Sequence, residues 1–214
     1  MIGIINCDTD ESETTNGAIL IKRLFENSEI IDLVNGETIE NYDRYEGFII
    51  SGSRAGIRED IEWLNNLRDI ILEINTRRIK TLAICFGMQM IANMFKGSVI
   101  SNAVNEIGFQ NINIVKKSLL FQGIENNLIA YNAHKDIVRR IPSGAKIIAL
   151  NDYCIQGFEF ENFYCIQFHP EIDSNIAQIM ADRDEEEIDL RNGILAENCS
   201  LRIVSNFINI ISEV

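Results

Sequence analysis

Cys85 ends the apolar run Thr81–Ile84 and is followed by Phe86-Gly87 and a helically spaced apolar stretch, TLAICFGMQMIA over residues 81–92. This spacing puts a thiol at the apex of a strand-to-helix turn. The first N–H groups of a helix have no internal partners and its dipole is positive there, so an anion at that point is stabilised. Small residues at Ala83 and Gly87 permit a sharp turn of the nucleophile-elbow kind. A structural cysteine buried at a strand end accounts for this stretch equally well.

A thiol nucleophile needs a base, and the chain has only two histidines, His134 and His169. His169 lies in YCIQFHPE, residues 164–171. In an extended segment residues two apart share a face, so His169 and Glu171 point the same way, with Pro170 fixing φ between them. A carboxylate beside an imidazole can hold its tautomer and stabilise its cation. Taken alone, His-x-Glu reads better as a satisfied histidine with an unrelated surface acid. The third stretch is Ser51-Gly52-Ser53-Arg54-Ala55-Gly56, after the apolar run GFII. A glycine-rich turn at a strand's carboxyl end can present N–H groups to an oxyanion. It lacks the Lys-Ser/Thr ending of a phosphate loop, and in isolation it reads as a plain loop.

The elements that must position these residues show in the hydrophobic pattern. Residues 1–7, 30–34, 47–50 and 79–84 read as short strands. Residues 16–25, 61–75 and those from about 87 have helical spacing. Strand and helix alternate to residue 95, the signature of a parallel sheet covered on both faces. After Gly97 short strand-like runs at 106–115, 127–132, 146–150, 155–160 and 163–168 suggest hairpins in a smaller mixed or antiparallel sheet. The tail from about Ser174 returns to helix. No repeat or linker divides the chain, so one α/β domain over residues 1–214 is expected.

Composition narrows the partners. The net charge of −13 argues against nucleic acid or an anionic membrane. No apolar stretch is long enough for a membrane span, and the N-terminus has no basic leader, so a cytoplasmic location is expected. The cysteines (Cys7, Cys85, Cys154, Cys165 and Cys199) number five, an odd count with no CxxC pair, which fits reduced thiols and offers no zinc spacing. No metal or organic cofactor is expected. The acidic loop Asp8, Asp10, Glu11 and Glu13 reads as exposed, although a strand's carboxyl end is also where α/β ligands bind. The run from Asp182 to Glu187 reads as a solvated helix face.

Together the three stretches resemble the class I glutamine amidotransferase domain, a flavodoxin-like fold that releases ammonia from glutamine. The resemblance runs from about residue 46 to 171 and includes IISGS, AICFGMQ, NEIGF, AHKDIV, IPSGAKIIAL and CIQFHPE. It implies Cys85 as nucleophile, His169 as base and Glu171 as its orienting carboxylate. It further implies an oxyanion hole at Gly52, Ser53 and the N–H of Phe86, and a glutamine contact at Gln89. His134 and Asp136 are implied at a partner or substrate rim. Ala83 stands where the family usually has glycine, Arg54 where proline is common, and Ala133-His134-Lys135-Asp136 where Ser-His-x-Asp is usual.

The resemblance implies a glutamine amidohydrolase working through a γ-glutamyl thioester. Its motifs look closest to the GMP-synthase-like branch. Residues beyond Glu171 read as a helical tail, so a synthase using the ammonia would be a separate chain. The alternatives are a stand-alone γ-glutamyl hydrolase or peptidase, and a non-catalytic binding module with the same fold.

Overall fold

The computed structural model describes residues 1–185, 187–190 and 192–212, and all but the side chains at 103 and 104 within them. Glu186, in the expected acidic helix face, and the last two residues of the expected helical tail lie outside the described residues.

The first half alternates as the sequence pattern requires. Helix α1 (Gly17–Leu24) joins strand β1 (Ile2–Ile5) to β2 (Ser28–Ile31), two 3-10 turns lead from β2 to β3 (Gly47–Ile50), α2 (Glu62–Arg77) joins β3 to β4 (Lys80–Ile84), and α3 (Phe86–Met94) follows β4. The remaining strands are β5 (Ser98–Ile114), β6 (Asn127–Arg140), β7 (Lys146–Leu150), β8 (Ile155–Phe160) and β9 (Phe163–Ile166). Two helices follow, α4 (Ser174–Asp184) and α5 (Gly193–Ser212). Each helix start has a local cause where a cap is present. The Asn16 side chain accepts from Ile19 N–H at α1, and the Asp173 carboxylate accepts from Asn175 and Ile176 N–H at α4.

The strands form one continuous sheet in the order β2-β1-β3-β4-β9-β8-β7-β5-β6. β1 to β4 and β9 are mutually parallel, and from β8 onward every pairing is antiparallel. The expected second, smaller sheet is therefore an extension of the first. β9 makes the join: it runs parallel to β4 on one edge and antiparallel to β8 on the other, so the ladder is not interrupted. Strands β5 and β6 are also longer than their apolar runs, because polar residues such as Glu106, Asn132 and His134 are buried within them.

Helices cover both faces of the parallel half. Phe48, Ile50 and Ala83 pack with α2 and α3, while Ile49, Leu82 and Ile84 pack with α1 and α5. The alternation is the period of two that places successive strand side chains on opposite faces. A third cluster joins Leu20, Phe109, Tyr131 and Ile172 to Ile176 and Ala177 of α4. It holds α4 beside the carboxyl ends of the parallel strands. No helix among the described residues is long and apolar enough to cross a membrane.

Candidate active site

Cys85 is the residue between β4 and α3, at φ 50° and ψ −102°. A non-glycine residue rarely adopts positive φ, and the strain persists only where the surroundings enforce it. Here Cys85 N–H donates to Ile166 O of β9 at 2.8 Å, while its carbonyl accepts from Gln89 N–H at 3.0 Å. The thiol is thus fixed by strand on one side and helix on the other. Gly87 is required by close approach: a Cβ there would lie 3.0 Å from Ile50 O. Phe86 turns its ring into the core against Trp63, with centroids 5.9 Å apart. As the first residue of α3, its N–H is among those the helix leaves without an internal acceptor.

His169 follows β9 and is anchored by its N–H donating to Tyr131 O at 2.8 Å. Its Nδ1 lies 2.7 Å from Glu171 Oε1, and the side chain of Glu171 is only 1% exposed. The Cys85 thiol lies close enough to the ring to act on its charge, and a Cβ on Gly52 would lie near both residues. Burial disfavours the imidazolium, but the Glu171 carboxylate and then the Cys85 sulfur outweigh it, so the His169 pKa is raised well above the ordinary value. Gly52 closes the group from below. A methyl on it would fall 2.9 Å from His169 Cε1 and 3.8 Å from Cys85 Cβ.

These residues line a cavity of about 300 Å³ together with Ser53, Asp8, Asp10, Tyr131, His134 and Lys135. The structure therefore brings Cys85, His169, Glu171, Gly52, Ser53 and His134 to one place. Gln89 is not on the wall. Its side-chain amide donates to Asp136 O at 2.9 Å, tying α3 to β6. The Asp136 side chain likewise does not line the cavity, and only its backbone serves this link. His134 is less a rim residue than a wall, for its side chain is 2% exposed.

Two groups of the wall went unassigned in the sequence. Asp8 and Asp10, expected in an exposed loop, face the cavity. Asp8 Oδ2 accepts from Gly17 N–H at 2.8 Å at the start of α1. Burial raises the Asp8 pKa, although the Gly17 and Asp10 N–H groups oppose it. Asp10 Oδ2 pairs with Arg183 at 2.8 Å and with Arg54 at 3.6 Å. Arg183 belongs to the run expected to be a solvated helix face. The described residues of that run, 182–185 and 187, are exposed as expected, but Arg183 also lines the cavity and ties the end of α4 to Asp10. Binding at the carboxyl ends of parallel strands was the one signal for Asp8 and Asp10. No spacing rule links Asp10 to Arg183.

The thiols differ in environment. Burial pushes Cys7 and Cys165 well above the ordinary thiol value, and Cys154 up to about 12. We therefore expect a glutamine-like electrophile, such as a diazo-ketone analogue, to label Cys85 in preference to those three. Peptide mapping after substoichiometric labelling checks this. Predominant modification of Cys7, Cys154, Cys165 or Cys199 would count against the site.

Comparison with known proteins places this geometry in context. The family model described as glutamine amidotransferase class-I matches residues 12–182. Over 162 residues the chain is 36% identical to γ-glutamyl peptidase 4 of Arabidopsis thaliana, a match covering 71% of this chain and 64% of that protein. It is 36% identical over 150 residues to a glutamine-hydrolyzing GMP synthase subunit of Methanosphaera stadtmanae, covering 69% of this chain and 76% of that one. The match spans only 28% of the GMP synthase of Petrotoga mobilis, at 36% identity and 68% of this chain. A glutamine amidotransferase structure from Thermotoga maritima superposes with TM-score 0.83 at 24% identity, over 100% of this chain and 98% of that one. That likeness is one of fold. The chain belongs to the class I glutamine amidotransferase family.

Proposed function

We propose that this protein hydrolyses the γ-amide of glutamine through a thioester on Cys85. The observation that carries the reading is the buried arrangement in which Glu171, His169 and the Cys85 thiol are in series, at the wall of one cavity. His169 takes the thiol proton, and Glu171 holds its ring and stabilises the imidazolium. The Cys85 sulfur attacks the γ-carbonyl carbon. The resulting oxyanion is met by N–H groups of the Gly52-Ser53 turn and of Phe86. The C–N bond then breaks, and His169 returns its proton to the leaving ammonia. Water attacks the thioester with His169 again as base, releasing glutamate and restoring the thiol. The residues that act are all side chains and N–H groups of the chain itself.

The ammonia is proposed to pass to a synthase on a separate chain. The name of the Methanosphaera stadtmanae relative, a subunit of a glutamine-hydrolyzing GMP synthase, supports that arrangement. A second reading, a γ-glutamyl peptidase, is favoured by the cavity itself. Its wall continues beyond Cys85 to Lys135, Met180 and Arg183, more surface than a leaving ammonia needs. The Arabidopsis relative named γ-glutamyl peptidase 4 supports it equally.

The deciding experiment is hydrolysis of glutamine and of a γ-glutamyl dipeptide by the purified chain and by Cys85→Ala. Ammonia from glutamine, absent in the variant, is the expected result. Faster release of amino acid from the dipeptide assigns the second reading. Failure on both substrates, with no gain when a GMP synthase lacking its own glutamine-hydrolysing part is added, overturns the proposal.

A further inference from the structure

Behind the cavity wall lies a second group of chemistry-bearing side chains. Glu106 sits on β5 just after the irregularity that shifts the β5–β6 register between Ser101 and Glu106. His134 faces it from β6, and Cys154 approaches from the turn between β7 and β8. The ligand atoms of these three residues all lie within 4.8 Å of one another. His134 Nε2 is 3.0 Å from Glu106 Oε2, and Cys154 Sγ is 3.9 Å from the same oxygen.

The arrangement leaves a histidine unexplained. Both ring nitrogens of His134 are buried without a hydrogen bond: Nε2 has only the ionic contact with Glu106 Oε2 at 3.0 Å, and Nδ1 has no polar partner. Buried polar atoms without a partner are costly and uncommon. Glu106, by contrast, is oriented from behind: Asn151 donates to Oε1, and Gln156 Nε2 donates to Oε2 at 3.0 Å. An imidazole with one orphaned nitrogen, set against a braced carboxylate and a thiol, is the pattern of a ligand set with its outer partners in place.

We propose that Glu106, His134 and Cys154 form a binding site for a thiophilic divalent cation of the zinc class. The spacing suits it. Tetrahedral ligands at about 2.0–2.3 Å from such an ion lie about 3.3–3.7 Å apart, and the observed 3.0 and 3.9 Å bracket that range. The donor set also suits it. Imidazole nitrogen with thiolate sulfur selects zinc or cobalt over magnesium or calcium, which take oxygen ligands. Carboxylate and thiolate together neutralise the ion's two charges. Binding releases the Cys154 thiol proton to solvent as the metal–sulfur bond forms. Of the three, His134 also lines the cavity that holds Cys85. Sequence spacing gives no hint of this site, since the three residues come from three separate strands and turns.

The test uses the purified full chain, reduced and stripped with chelator, and titrated with Co2+ as a spectroscopic probe. We expect one equivalent to bind with a thiolate-to-cobalt charge-transfer band. Zn2+ should bleach it and Mg2+ should not. The band should persist in Cys85→Ser and vanish in Cys154→Ser, with circular dichroism showing both variants folded. Glu106→Gln should weaken Zn2+ binding by more than the roughly 10- to 100-fold that loss of an outer partner costs. If the band instead vanishes in Cys85→Ser and survives in Cys154→Ser, the ion is held by the catalytic thiol and the proposal is wrong. It is equally overturned if no thiolate band appears in the parent protein.

Discussion

Replacing His169 with alanine is expected to lower glutamine turnover by about a thousandfold or more, the combined worth of a positioned base and its orienting partner. The ring is buried, beside the Cys85 thiol and with Nδ1 2.7 Å from Glu171 Oε1. No other imidazole can take its place. His134 is turned to Glu106 on another part of the wall, at 3.0 Å. The backbone of residue 169 keeps its N–H bond to Tyr131 O in the variant, so the fold survives and the loss is chemical. The measurement is kcat with the rate of Cys85 modification by a glutamine analogue, on His169→Ala and His134→Ala side by side. His134→Ala should leave the modification rate largely intact. Equal losses in both would mean that the base has been misassigned.

What could be read from the sequence, and what could not, follows from the range over which each signal acts. The Cys85 elbow is local: an apolar strand, a thiol, small residues and a helical pattern all lie within twelve consecutive positions, and the observed positive φ of 50° is the strain that such a turn demands. The pairing of His169 with Glu171 is local too, but it is made by a turn after β9, where Ile172 N–H donates to His169 O at 3.4 Å, and not by the strand alternation expected from the sequence. The meeting of Asp10 with Arg183 depends on where α4 packs after the whole sheet is built, and no periodicity encodes it. The same holds for Cys154 beside His134 and Glu106. Sequence spacing rules describe ligands on one loop or helix, so they are silent on side chains gathered, like these, by strand pairing. The single continuous sheet is a further case. The change from parallel to antiparallel pairing was visible as a change in run length after Gly97, but the role of β9 in joining the two halves is a property of topology.

Replacing Glu171 with glutamine keeps the size and the hydrogen bond at His169 but removes the charge. With the side chain only 1% exposed, solvent cannot substitute for it. After burial, which acts the other way, Glu171 is the first cause that lifts the His169 pKa, so the variant's His169 must titrate lower. An amide can also offer either its oxygen or its NH2, so the tautomer is no longer specified. Turnover is expected to fall by roughly tenfold to a thousandfold, less than for Cys85→Ala, as a third member acting through another residue usually does. The sign of the stability effect follows from the same shift. A histidine whose folded pKa exceeds its unfolded value of about 6.5 binds its proton more tightly when folded. Its contribution is complete below about pH 6.5 and is lost as pH rises through the raised folded value. The wild type should therefore exceed Glu171→Gln in unfolding midpoint most clearly below about pH 6.5, and the gap should narrow as pH rises through the raised His169 value. Thermal melts across that range, with NMR titration of the His169 ring, check both. An unshifted His169 titration together with undiminished turnover would show that Glu171 is not coupled to the thiol site.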